Sequence, residues 1–227
     1  MSSYYSFKIC VIGEQSVGKT TLIKSYLQEQ FEPSGSLDPN TFEKIFQTKK
    51  KRLVLSIHEA PQSVQEMNYY SADFYGAELI IFVYNITDFT SINVLPKWWD
   101  AIKRAFKDKP KKFPSLILVG NIYSEFAKPD YIDTYLDDYT EIFNVINVFK
   151  CSLKDTHYVG KIFSAALHEI IQRNMPKSNE FIGLVGDLDK FGPIFNKILC
   201  PNCKHLTSSG NPFCHFCNFR TDHEKNI

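Results

Sequence analysis

Lys19 and Thr20 close the run GEQSVGKT, in which two glycines bracket four residues and a lysine and threonine follow at once. That spacing is suited to holding a chain of phosphates. Gly13 and Gly18 permit a tight turn, so that successive N–H groups from Gly13, Glu14, Gln15, Ser16, Val17, Gly18, Lys19, Thr20 and Thr21 face phosphate oxygens ahead of a helix N-terminus. Lys19 is placed to lie along the β- and γ-phosphates as a point charge, and the Thr20 hydroxyl to ligate Mg²⁺. The apolar KICVI before the run and TLIKSYL after it read as strand and helix, the context that distinguishes this motif from a chance glycine turn.

A second constellation lies near the other end. Cys200, Cys203, Cys214 and Cys217 form C-x2-C-x10-C-x2-C, four thiolates in two knuckles as a tetrahedral Zn²⁺ site requires. With every position filled by sulfur no site is left for substrate, so the zinc is expected to be structural. It would supply folding energy that about 30 residues cannot obtain from a core of their own. Redox exchange at a CxxC pair suits two pairs at this spacing less well. His205, His215 and His223 read as surface residues, and Phe213, Phe216 and Phe219 as a small core or an exposed patch.

The elements that must position these groups follow from hydrophobic periodicity. Apolar runs rich in β-branched and aromatic residues predict strands at residues 7–12, 42–48, 53–58, 79–85, 116–120 and 145–150. IIFVYN and LILVGN are nearly continuous apolar runs, as strands covered on both faces require. Helical periods are read at 19–29, 91–105, 132–143 and 159–173, with a further helix around 64–75. The polar KKKR turn between 42–48 and 53–58 implies a hairpin, and so one antiparallel strand in a mostly parallel sheet. Residues 1–174 form the expected α/β domain, 175–194 a linker with Pro and Gly breakers, and 195–227 the zinc module.

The 227 residues are 44% hydrophobic, 15% aromatic and 22% charged, a globular composition that argues against disorder. Nineteen Phe and twelve Tyr are core candidates, as are Cys10 and Cys151 in their apolar runs. A net charge of +1 offers no global field for nucleic acid or an acidic membrane. No stretch has the length of a membrane span and the start lacks a leader's features, so a cytoplasmic protein is expected.

Over residues 6–174 the chain resembles the Ras superfamily of small GTPases, in its Rab and Rho branches. The likeness rests on the phosphate loop, on YNITDFTSINVLPKWWDAI with a tryptophan at Trp98 or Trp99, on LILVGN where the family has LVGNKxD, and on FKCSLKD where it has CSAK. The resemblance implies a Ras-like P-loop NTPase fold, a six-stranded mostly parallel sheet flanked by helices, with GTP or GDP and Mg²⁺ as ligands. It also implies GTP hydrolysis as the reaction class, and a protein effector or regulator at the switch face or the zinc ribbon. Asn121, Ser152, Leu153 and Lys154 fall where the family approaches the base, and Gln62 where its water-positioning glutamine stands.

Several positions depart from the family pattern. The switch threonine that meets Mg²⁺ is matched by Asn40, or by Thr41 after a shift of one residue. WDTAGQ becomes IHEAPQ, so His58 replaces the aspartate that orients Mg²⁺ and its water, and Pro61 replaces a glycine whose N–H senses the γ-phosphate. Ser124 replaces the aspartate that accepts two hydrogen bonds from guanine, and Tyr123 beside it offers a ring for stacking. The last cysteine lies too far from the end for a CaaX box, so prenylation is not expected. Together these features imply a GTP-binding switch with weak or absent hydrolysis; the alternatives are a pseudo-GTPase scaffold and a zinc-ribbon nucleic-acid binder.

Overall fold

The computed structural model describes residues 3–27, 40–47, 51–63, 74–110, 112–123, 132–143, 145–174, 197–199 and 206–208. The chain divides into two compact units, Met1–Val185 and Gly186–Ile227. In the first, the order is β1 (Ser3–Ile12), α1 (Lys19–Leu27), β2 (Thr41–Gln47), β3 (Lys51–Glu59), β4 (Leu79–Asn85), α2 (Phe89–Asn93), α3 (Leu95–Phe106), β5 (Ser115–Asn121), α4 (Ile132–Ile142), β6 (Val145–Cys151) and α5 (Thr156–Asn174).

The six strands form one sheet in the order β2-β3-β1-β4-β5-β6. Every pair is parallel except β2 with β3, which run antiparallel from Thr41 opposite His58 to Gln47 opposite Arg52. This is the Ras-like P-loop arrangement with one antiparallel edge strand. Residues 79–84 of β4 and 116–121 of β5 are all buried, which accounts for their near-continuous apolar sequences.

Several boundaries differ from those read in the sequence, for identifiable reasons. β1 begins at Ser3, because its polar start pairs with the polar start of β3, Ser3 opposite Lys51 and Tyr4 opposite Arg52. Backbone pairing does not need the apolar side chains that mark a strand in sequence. The single helix expected at 91–105 is two, α2 and α3, meeting at Val94. Pro96 has no N–H to continue α2 and sits in the first turn of α3, where none is needed. Asp88 starts α2 by accepting from the Thr90 N–H at 2.9 Å, and Asp155 starts α5 by accepting from the His157 N–H at 3.0 Å. Residues 64–73 of the helix expected at 64–75 lie outside the described residues; Phe74 is in 3-10 conformation and Tyr75 in the turn that follows.

One face of α3 buries Leu95, Trp98, Trp99, Ala101, Ile102 and Phe106 against the sheet. Across the other layer, Tyr26 of α1 stacks on Phe163 of α5 with ring centroids 3.8 Å apart. Cys10 and Cys151 are buried, and neither is in a disulfide. Burial, and secondarily the charge of Asp155, pushes the Cys151 thiol up to about 11, which keeps it protonated and unreactive at neutral pH.

In the second unit the described residues form a two-stranded antiparallel sheet, β7 (Lys197–Leu199) with β8 (Leu206–Ser208). Cys200, Cys203, Cys214 and Cys217 lie outside the described residues. Among the described residues no group of three or more His, Cys, Asp or Glu forms a metal cluster, and no helix is long and apolar enough to cross a membrane.

Candidate functional site

Parallel strands deliver their carboxyl ends to one edge of a sheet, where the connecting loops gather. Here β1 ends at Ile12, β3 at Glu59, β4 at Asn85, β5 at Asn121 and β6 at Cys151. The glycine-rich run leaves β1 and enters α1 between them. Its backbone takes positive φ at Gly13 (138°), Ser16 (62°) and Gly18 (108°), so the two glycines stand where the turn most needs them. A Cβ at Gly18 would fall 2.6 Å from Asn121 Nδ2 and 2.9 Å from Leu153 Cδ1, so the residue is required for close approach as well as for φ.

Lys19 is 4% exposed and folds back over the loop, its Nζ donating to the Gly13 carbonyl at 2.7 Å and the Glu14 carbonyl at 2.9 Å. Those bonds hold the ammonium above the turn. Val17 is buried beneath it, while Gln15, Ser16, Thr20 and Thr21 are exposed. Glu14 reaches sideways and accepts from the Trp98 indole N–H at 3.0 Å, which ties the loop to α3.

Two further segments clamp the run from the side. Asn121, 3% exposed, donates from Nδ2 to the Val17 carbonyl at 3.0 Å and accepts at Oδ1 from the Leu153 N–H at 3.4 Å. One amide therefore joins β5, the phosphate-loop run and the turn after β6. Ser25 of α1 reinforces the junction by donating to the Leu153 carbonyl at 2.7 Å. Tyr123 spans the same gap, its hydroxyl donating to the Ser16 carbonyl at 2.5 Å while the residue stays 56% exposed. Ser152 and Lys154 form the turn into α5, with the Lys154 N–H directed to Ser152 Oγ at 3.4 Å. Ser124 lies outside the described residues.

The end of β3 holds the arrangement that the sequence reading missed. His58, expected at the metal-orienting position, is 5% exposed and shares a hydrogen bond of 3.0 Å between its Nδ1 and the Thr41 hydroxyl. Glu59, the next residue, accepts at Oε1 from the Thr20 hydroxyl at 2.6 Å. The signal was present in the two-residue period of a strand, which turns Glu59 to the face opposite that of His58. Asn40 and Thr41 are thus distinguished: the Thr41 side chain engages His58, while the Asn40 carbonyl accepts from the Glu59 N–H at 2.8 Å. Pro61 and Gln62 follow β3, with Gln62 exposed.

N–H groups at the start of a nine-residue helix, with an ammonium held over the turn, suit a multiply charged anion. A family model described as the Ras family matches residues 8–172. Among known proteins, the chain is 29% identical over 132 residues to GTP-binding protein YPTM1 of Zea mays, covering 57% of this chain and 61% of that one. It is 25% identical over 160 residues to Ras-related protein RABG3a of Arabidopsis thaliana, with coverages of 69% and 78%. With GTP-binding protein ypt1 of Schizosaccharomyces pombe it shares 26% over 176 residues, with coverages of 74% and 82%.

Proposed function

The chain belongs to the Ras family, and from that premise we propose that it binds guanine nucleotide with Mg²⁺ and hydrolyses it weakly or not at all. The observation that carries this reading is the clamped turn, in which Asn121 holds the Val17 carbonyl and Lys19 spans the carbonyls of Gly13 and Glu14. A loop fixed by its own lysine and by β5 is organised before a ligand arrives, so little ordering entropy opposes binding. Residues 13–21 take the phosphates, and Asn121 with Ser152, Leu153 and Lys154 lines the base side. Ser124 in place of an aspartate relaxes the preference for guanine.

Weak turnover follows from the second switch. Pro61 has no N–H with which to contact a γ-phosphate, and Gln62 alone is left to orient water. The bond between Thr41 and His58 favours a pseudo-GTPase scaffold as the second reading, because it holds the Thr41 hydroxyl within the sheet. In either case a protein partner is expected at the switch face or the zinc module. The near-neutral charge argues against nucleic acid.

Chromatography of nucleotide released from denatured protein, with timed GTP and ATP turnover, tests this. GDP or GTP is expected in the released fraction, with slow turnover of both triphosphates. Lys19→Met is expected to weaken nucleotide binding about a hundredfold, as the loss of two charge-assisted hydrogen bonds to phosphate oxygens of about 1.5 kcal/mol each implies. Undiminished binding by that variant, or no binding by the wild type, refutes the assignment.

For the cysteine module we propose one structural Zn²⁺ on Cys200, Cys203, Cys214 and Cys217, within a unit of residues 195–227 joined through 175–194 to the domain of residues 1–174. Metal analysis of the purified chain should find one equivalent of zinc. Replacing Cys214 and Cys217 by serine should remove it, and zinc retained at full stoichiometry would refute the ligand set.

A further inference from the structure

We infer that Glu59, and not residue 58, supplies the carboxylate facing the divalent cation of a bound nucleotide in this chain; the inference rests on the nucleotide-binding reading above. It starts from the 2.6 Å hydrogen bond that the Thr20 hydroxyl donates to Glu59 Oε1. A hydroxyl has one proton and two lone pairs. When the proton is given to a carboxylate, the lone pairs are left for a cation, and the adjacent negative charge favours that cation electrostatically. Thr20 directly follows the lysine of the phosphate loop, so an ion on its oxygen would lie beside phosphates held by Lys19.

The backbone holds Glu59 in place for this task. Its N–H is bonded to the Asn40 carbonyl at 2.8 Å, and the following Ala60 N–H to the Val11 carbonyl at 2.9 Å. Val11 is its register partner on β1, two residues ahead of the turn. The carboxylate therefore rests on the same strand pair that launches the loop. His58 is committed elsewhere, nearly buried and bonded to Thr41, and an imidazole nitrogen is a poor ligand for Mg²⁺.

The donor set fits the ion. The Thr20 hydroxyl and the Glu59 carboxylate are both hard oxygen groups, and Mg²⁺ commonly takes one or two protein oxygens plus phosphate and water. Compared with aspartate, glutamate has one more methylene. That extra reach lets a residue one position later in the strand meet the threonine hydroxyl from the other face of β3.

The test is the metal dependence of nucleotide release. The full chain is loaded with a fluorescent guanine nucleotide, and its dissociation is followed across a Mg²⁺ titration and in EDTA, with Mn²⁺ as a second ion. In the wild type, release should accelerate as Mg²⁺ is withdrawn. Glu59→Gln, which keeps the size and can still accept the Thr20 hydrogen bond, should raise the Mg²⁺ midpoint about 10- to 100-fold. Glu59→Asp, with its shorter reach, should also raise the midpoint. An unshifted midpoint in Glu59→Gln overturns the inference, as does a shift seen in His58→Ala and absent from Glu59→Gln. Weaker nucleotide binding in EDTA with an unchanged Mg²⁺ midpoint would make Glu59 a structural brace and also overturns it. Nucleotide binding by the wild type that ignores metal overturns the inference and leaves the nucleotide reading intact. Failure of the wild type to bind nucleotide removes both.

Discussion

Gly13→Ala is expected to lower the thermal midpoint of the first unit by roughly 6–12 °C, the largest loss of stability from any single added methyl in the phosphate loop. The glycine sits at φ 138°, and a Cβ there would fall 2.2 Å from the Val83 carbonyl oxygen and 3.3 Å from its carbon. Both atoms belong to the backbone of β4, which is paired along its length with β5 and cannot yield as a side chain can. Overpacking costs about 1–3 kcal/mol and a strained φ about 1–3 kcal/mol more. A total near 3 kcal/mol corresponds to the stated shift for a domain of this size. Circular dichroism melts of the nucleotide-free protein would read it. Gly18→Ala should cost less, because its nearest obstacles are the side chains of Asn121 and Leu153. A Gly13→Ala midpoint within about 2 °C of the wild type would show that the turn is not built as described.

Trp98→Ala should cost about 3–5 kcal/mol, read as a fall in the urea midpoint. The indole is fully buried among the apolar residues between α3 and the sheet, and truncation leaves a large cavity in tightly packed surroundings. Trp98→Phe separates packing from polarity. It keeps most of the apolar volume and removes the N–H that Glu14 Oε1 accepts at 3.0 Å, so a loss of about 1 kcal/mol is expected. A loss below about 1 kcal/mol for Trp98→Ala would contradict the packing described.

The frame of the fold was legible because its signals are local. The runs LIIFVYN and SLILVGN announce strands buried on both faces, and the glycine spacing before TLIKSYL marks the turn and the helix start. What escaped was set by partners distant in sequence. Nothing near Ser3 or Tyr4 shows that they extend β1, since the cause lies in Lys51 and Arg52. The break at Val94 has Pro96 as its one local sign, and the apolar stripe that runs across it hides that sign.

The site shows the same division. The turn at residues 13–20 is legible from residue type and spacing, whereas at the end of β3 alignment by position points to His58. Strand alternation decides otherwise and brings Glu59 to Thr20. Tyr123 was read as a stacking ring; its hydroxyl bond to the Ser16 carbonyl, more than a hundred residues away, has no trace in local sequence.

The strand order also has a consequence for the chain as it leaves the ribosome. β1 and the turn that follows it are made before the other five strands of the sheet, yet β1 lies between β3 and β4, so its hydrogen bonds must await residues from Lys51 and Leu79 onward. The amide that latches the Val17 carbonyl belongs to Asn121, and the N–H that latches that amide in turn belongs to Leu153. A growing polypeptide thus carries an unfinished phosphate loop until Leu153 has been made, well after β1 has gained its partners β3 and β4. The order of translation makes the loop earlier than every element that clamps it, and its last clamp comes only with the turn after β6.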